Sequence, residues 1–156
     1  MERLIPRTRV AAWAERVRRS GKRIVFTNGV FDILHRGHVD YLQRARSFGD
    51  LLIVGLKLMH QSDVERTIST CPQRDRAFVL LGLRAVDLVV FFNDDTPDKL
   101  IRQIRPAVLV KGADYAEKDI VGATFVRSYG GTVRRVRLTR GRSTSAILAR
   151  WKKAGR

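Results

Sequence analysis

The chain has 156 residues, enough for one domain with a real core and too few for two ordinary ones. Its apolar content of 44% is near the globular average, and no apolar run approaches the roughly 18 residues that would span a bilayer, so a soluble cytoplasmic protein without a membrane partner is expected. A single cysteine, Cys71, excludes an internal disulfide, and the Met-Glu-Arg-Leu-Ile-Pro start shows no secretory signal.

The net charge of +16 invites a nucleic-acid reading, but the excess is terminal. Residues 1–23 carry eight basic against two acidic side chains and residues 134–156 nine against none, while residues 24–133 are nearly balanced. A basic C-terminal segment suits a polyphosphate nucleotide as well as a nucleic-acid backbone. No recognition helix or RNA-binding aromatic motif accompanies it, so nucleic acid is not the expected partner.

Thr8 is a candidate cap for a first helix, with Val10, Trp13, Ala14 and Val17 at helical spacing and Gly21 as its stop. Ile24, Val25 and Phe26 then form a short buried strand ending at Asn28-Gly29. After His38, the spacing of Val39, Leu42, Ala45 and Phe48 predicts a helix that stops at Gly49. Leu51 to Leu56 is a second buried strand and completes a β-α-β unit, whose crossover is right-handed in almost all proteins. Residues 57–71 show little periodicity and read as a long loop or a short irregular helix.

Pro72 opens a helix bearing Ala77, Leu80, Leu81 and Arg84, and Leu88 to Phe92 is a third strand. Thr96-Pro97 supply a cap and first-turn proline for a helix with Leu100, Ile101 and Ile104, stopped by Pro106. Ala107 to Val110 makes a fourth strand, and the segment from Lys111 to Tyr115 leaves its end as a loop. Ile120 to Tyr129 reads as a weak helix, Thr132 to Val136 as a fifth strand, and Ile147, Leu148 and Trp151 as the face of a last helix. This alternation predicts an α/β fold, a single Rossmann-like doubly wound domain with a five-stranded parallel sheet and helices on both faces.

Three stretches carry chemistry. In the first, His35 and His38 flank Gly37 just beyond the carboxyl end of the first strand, where open α/β sheets bind their ligands. Two imidazoles one turn apart at a helix start, with Thr27, Asn28 and Gly29 before them, read as a phosphate site. Lys111, Gly112, Asp114 and Tyr115 leave the same sheet edge. Arg142, Ser143, Thr144 and Ser145, three hydroxyls beside an arginine at a helix start, form a candidate anion cradle.

Thr27, Gly29, Phe31, Asp32, His35, Gly37 and His38 resemble the Thr-x-Gly-x-Phe-Asp-x-x-His-x-Gly-His signature of the cytidylyltransferase-like nucleotidyltransferases. Lys111-Gly112-Ala113-Asp114-Tyr115 is similar to the Val-Lys-Gly-Gly-Asp-Tyr segment of D-glycero-β-D-manno-heptose 1-phosphate adenylyltransferases, and the likeness runs over about residues 22–151. It implies transfer of AMP from ATP to a sugar 1-phosphate, with magnesium carried mainly on the substrate phosphates and no metal held by protein ligands. His35, His38 and Thr27 would be catalytic. Asn28, Gly29, Phe31, Asp32, Gly37, Lys111, Gly112, Asp114, Tyr115, Arg142, Ser143, Thr144 and Ser145 would bind nucleotide or sugar, Asp32 bracing the turn rather than acting as a base. On the resemblance, residues 1–21 are an N-terminal helix, residues 22–151 a catalytic core, and the protein a homodimer. The kinase half often fused ahead of such a domain is absent, so a stand-alone transferase is expected. The chain departs from the family after the second strand, where Lys57-Leu58-Met59 and Thr67-Ile68-Ser69-Thr70 replace a loop with its own lysine, and Lys57 is the candidate substitute. A cytidylyltransferase, a basic nucleic-acid-binding protein and a catalytically weak relative are the alternatives.

Overall fold

A computed structural model describes residues 3–58 and 71–137. Short apolar runs form the cores of four strands, β1 (Ile24–Gly29), β2 (Leu51–Lys57), β3 (Leu88–Phe92) and β4 (Val108–Gly112), and the largely exposed Thr-Val-Arg-Arg-Val forms a fifth, β5 (Thr132–Val136). They make one sheet in the order β3-β2-β1-β4-β5, every pair parallel. The helices are α1 (Arg7–Arg19), α2 (Arg36–Arg46), α3 (Gln73–Gly82), α4 (Asp98–Ile104) and α5 (Ala123–Ser128).

Alternate residues along each strand enter two separate cores, as the two-residue side-chain period requires. On one face Val25, Leu52, Val54 and Val110 pack with Tyr41, Leu42 and Ala45 of α2 and Ala77, Leu80 and Leu81 of α3. On the other, Ile24, Phe26, Ile53 and Leu109 pack with Val10 and Ala14 of α1, Leu100, Ile101 and Ile104 of α4, and Ala123 and Val126 of α5. Each fully buried Leu or Ile contributes roughly 1.5–3 kcal/mol, so these two layers account for the order of the whole sheet.

Several expected boundaries move. The first helix begins at Arg7 with Pro6 at its N-cap, so Thr8 lies inside it and caps nothing. The second begins at Arg36, two residues before His38, with His35 at the N-cap in extended backbone. Leu83 ends α3 in extended backbone, which leaves Arg84 outside, and Pro97 itself is the N-cap of α4, with no side-chain bond from Thr96. The weak helix shrinks to α5 because Gly122, at φ 83°, turns the chain immediately before it. The fourth strand runs two residues further than the apolar pattern, so Lys111 and Gly112 belong to β4 rather than to a loop; they pair with Arg135 and Val136 of β5, and an apolar pattern does not register a buried lysine. Residues 3–5 also add a single bridge, Leu4 to Val89, beside β3. The last helix and the cradle at 142–145 lie outside the described residues.

The order of strands reverses between β1 and β4. The chain leaves β1 for α2 on one face and leaves β4 for α5 on the other, which opens a crevice at the carboxyl ends of these two strands. Their ladder holds only Val25–Val108 and Phe26–Leu109, although β1 continues to Gly29 and β4 to Gly112. The sheet's functional edge is where its two central strands stop pairing.

Candidate active site

Local packing sets the β1 side of the crevice. Gly29 has no side chain because Phe31 occupies that space: a Cβ there would lie 2.9 Å from Cε2 of the Phe31 ring. Phe31 itself takes a left-handed backbone, φ 47°, which folds its ring back over the strand end and brings it edge-on to His38, at 5.2 Å between centroids. His38 in turn stacks on His35 at 3.9 Å and 23° between planes. The backbone N–H groups of His38 and Val39 both donate to the His35 carbonyl, so the pair sits on the first turn of α2, with buried Gly37 between them.

Both rings are held neutral. Burial lowers the His38 pKa to about 4, with the neighbouring His35 adding to the fall and the Ile33 backbone opposing it, and burial lowers His35 as well. Two cations stacked at this distance would repel each other, and neither Nδ1 atom has a hydrogen-bond partner among the described residues. The pair is therefore a set of neutral N–H donors at a positive helix end.

Thr27 and Asp32 brace this turn. Thr27 is fully buried, and its Oγ1 lies 2.7 Å from the Tyr41 hydroxyl, a bond that ties β1 to α2 beneath the histidines. Asp32 accepts from the backbone N–H of Cys71 at 3.2 Å. Arg76, only 3% exposed, donates from Nη1 to the Val30 carbonyl at 2.6 Å and to the Lys57 carbonyl at 3.3 Å. It thus pins the loop after β1 and the end of β2 to α3. A cavity of about 400 Å³ lies against it, lined by residues 31–34, Cys71, Asp75, Arg76 and Val79.

The β4 side is charged. Lys111, 7% exposed, donates from Nζ to Asn28 Oδ1 at 2.5 Å and sits 5.3 Å from the centre of the Tyr115 ring. Burial lowers its pKa to about 8 against the pull of Asp114. Tyr41 is the link between the sides: burial pushes its hydroxyl well above the ordinary range, and Asp114 and Tyr115 are close enough to add to that shift. The structure thus brings together Thr27, Asn28, Gly29, Phe31, His35, Gly37, His38 and, across the crevice, Lys111 to Tyr115. Lys57, the candidate substitute for the loop lysine, donates to the carbonyls of Asn93 and Asp94 at 3.1 and 2.7 Å.

Tyr41 and Arg76 are the residues that sequence reasoning missed. Tyr41 had a signal, three positions after His38 and hence on the same helix face. Arg76 had only the family likeness at Asp75-Arg76-Ala77, because an arginine inside an apolar pattern reads as the exposed side.

The cytidylyltransferase-like family model matches residues 26–148, well over half of the chain. The bifunctional protein HldE of Geobacter sulfurreducens is 50% identical over 138 residues, covering 86% of this chain and 28% of that protein. The bifunctional protein HldE of Pseudomonas aeruginosa is 48% identical over 145 residues, 90% of this chain and 30% of that one. The chain thus spans about 30% of the length of the curated relatives it matches. Among solved structures, the lipopolysaccharide core biosynthesis protein from Thermoplasma volcanium superposes with a TM-score of 0.63 at 26% identity, over 76% of this chain and 98% of that one. A pantoate-β-alanine ligase from Francisella tularensis, at 15% identity and a TM-score of 0.60 over 88% of this chain and 67% of that one, shares the fold.

Proposed function

The chain belongs to the cytidylyltransferase-like family, and from that premise we propose that it transfers AMP from ATP to a sugar 1-phosphate of the heptose class. A phosphate oxygen of the sugar attacks the α-phosphorus of ATP. The new oxygen–phosphorus bond forms as the bond to the β-phosphate oxygen breaks, pyrophosphate leaves with that electron pair, and the products are an ADP-sugar and pyrophosphate. The nucleophile is already anionic, so no proton has to move in this step. Rate comes from placement and from charge stabilisation at the phosphorus.

The observation that carries the reading is the stacked, neutral His35–His38 pair on the first turn of α2, at the crevice where β1 and β4 part. Such donors remain in the same state throughout the reaction, and each is worth roughly 3 kcal/mol, about a hundredfold in rate. Thr27 supports them through Tyr41. By family resemblance Arg142, Ser143, Thr144 and Ser145 hold the β and γ phosphates. Among the described residues no three His, Cys, Asp or Glu side chains are grouped to hold a metal; magnesium, in this reading, arrives on the triphosphate and neutralises its charge. A homodimer in the cytoplasm completes the picture by resemblance, and no helix among the described residues is long and apolar enough to cross a membrane.

Pyrophosphate release with ATP and with CTP, each against heptose, hexose and glycerol phosphates, tests the reading. The fastest release is expected with ATP and heptose 1-phosphate. Preference for CTP moves the chain to cytidylyl transfer, and tight ATP binding without turnover of any acceptor overturns the proposed activity in favour of a catalytically weak relative.

A further inference from the structure

Asn28 occupies a position that the Thr-x-Gly signature leaves free, yet its side chain is among the most constrained in the crevice. Its partner Lys111 has three donors and no acceptor, so the Asn28 amide must turn its oxygen toward the ammonium. The amide's two N–H donors then face away from Lys111. Both residues lie on the sheet face of Phe26 and Leu109, at the strand ends where the β1–β4 ladder has stopped. The Lys111–Asn28 bond therefore crosses the floor of the switch-point crevice.

Among the described residues, little surrounds this cation to neutralise it. Asn28 is its uncharged partner on β1, the Tyr115 ring lies beside it, and Asp114 in the segment after β4 is the carboxylate that acts on it. Lys111 is nonetheless almost fully buried. A buried ammonium without a close ion pair costs several kcal/mol, and such a cost is repaid when an anion binds against it. Two anionic groups meet in this crevice during the proposed reaction, the nucleotide triphosphate and the acceptor phosphate. The histidine pair belongs to the α2 wall and Lys111 to the β4 floor, so the two groups have separate attachment points.

We propose that the Lys111 ammonium and the Asn28 amide form the seat of the acceptor's phosphate, and that this pair, rather than the histidines, selects a sugar phosphate as nucleophile. The assignment rests on the adenylyl-transfer reading and adds to it the residues that hold the second substrate. One ammonium proton fixes Asn28. The remaining ammonium protons and the amide N–H groups are then available to a phosphate dianion, which holds its attacking oxygen in line with the α-phosphorus.

The test uses the full chain with Lys111→Met, which keeps an unbranched apolar stem, and Asn28→Asp, which sets a carboxylate against Lys111 and cancels the charge offered to the acceptor. Initial rates with heptose 1-phosphate are measured for both, and binding of a non-hydrolysable ATP analogue is followed by calorimetry. Each variant is expected to raise the acceptor KM at least tenfold while the analogue Kd changes less than twofold. Loss of analogue binding in parallel with the acceptor defect would assign the pair to the nucleotide and overturn the seat, as would an unchanged acceptor KM in a folded Lys111→Met protein. Asn28→Asp keeps the experiment decisive if Lys111→Met fails to fold. Adenylyl transfer itself is judged on the wild type, so a silent wild-type enzyme defeats that reading and the seat together, whereas an active one with unaffected variants defeats the seat alone.

Discussion

On the β1 side of the crevice, the contacts among Thr27, Phe31, His35, His38 and Tyr41 join residues no more than 14 positions apart, and the two titratable rings are neutral. On the β4 side the central contact joins Lys111 to Asn28 across 83 positions, and the group it holds is a cation. Short-range contacts can set a turn, a ring stack and a helix start within one stretch of chain. A buried charge needs partners that arrive from elsewhere, because desolvation must be offset by groups that no local pattern supplies. On the proposed reading the local side grips the activated phosphate and the long-range side chooses what attacks it.

The largest expected effect falls on the local side. In the proposed reaction His38→Ala removes a donor to the α-phosphate, and it is expected to lower kcat at least a hundredfold with its thermal unfolding midpoint within a few degrees of wild type. An active His38→Ala enzyme would break the contrast at its first term. Arg76→Met, which strips the Val30 and Lys57 carbonyls of their buried partner, should cost about 3 kcal/mol in urea unfolding, with activity lost as the loop after β1 loosens.

The pH response separates the sides by the property it moves. With a folded pKa of about 4 against an ordinary 6.5, His38 takes up its proton more readily in the unfolded chain, so stability is full above pH 6.5 and declines as pH falls toward 4. Allowing for the solvent-facing part of the ring, the loss by pH 5 is on the order of 1.5 kcal/mol, visible as a lower urea midpoint that His38→Ala shares only in part. Lys111, with a pKa of about 8, acts on activity instead: kcat/KM for the acceptor should fall as pH rises through 8, and Lys111→Met should flatten that limb. Tyr41→Phe, which deletes one buried hydrogen bond to Thr27, is expected to cost about 1 kcal/mol in unfolding and a few-fold in kcat. Thr96→Ala marks the low end, with less than about 0.5 kcal/mol, because Thr96 is exposed and makes no cap bond to α4.

The sequence carried the sheet, since β3 and β5 run over the expected residues and the other three strands overlap theirs closely; β3 is a continuous buried apolar run, whereas the exposed β5 was marked by the Gly130-Gly131 turn before it and its two valines. Helix starts were less legible. Thr8 and Thr96 look like caps, but Pro6, two residues before Thr8, and Pro97, next to Thr96, take the N-cap positions. At the site, the histidine pair and its glycine were readable because their chemistry depends on spacing. The end of β4 was misread as a loop because a lysine breaks an apolar pattern whether it faces water or a buried amide.

The amino-acid sequence by itself determined the alternation of strand and helix, the position of the histidine turn at a strand end and, through its motifs, the family. These depend on period, on glycine and on neighbours within a turn or two. Tertiary structure alone decided that β1 and β4 are adjacent and part at their ends, that Lys111 is buried against Asn28, and that Arg76 and Tyr41 hold the site in place. Strand order and the burial of a charge are properties of the assembled sheet, fixed by which distant segments share a face.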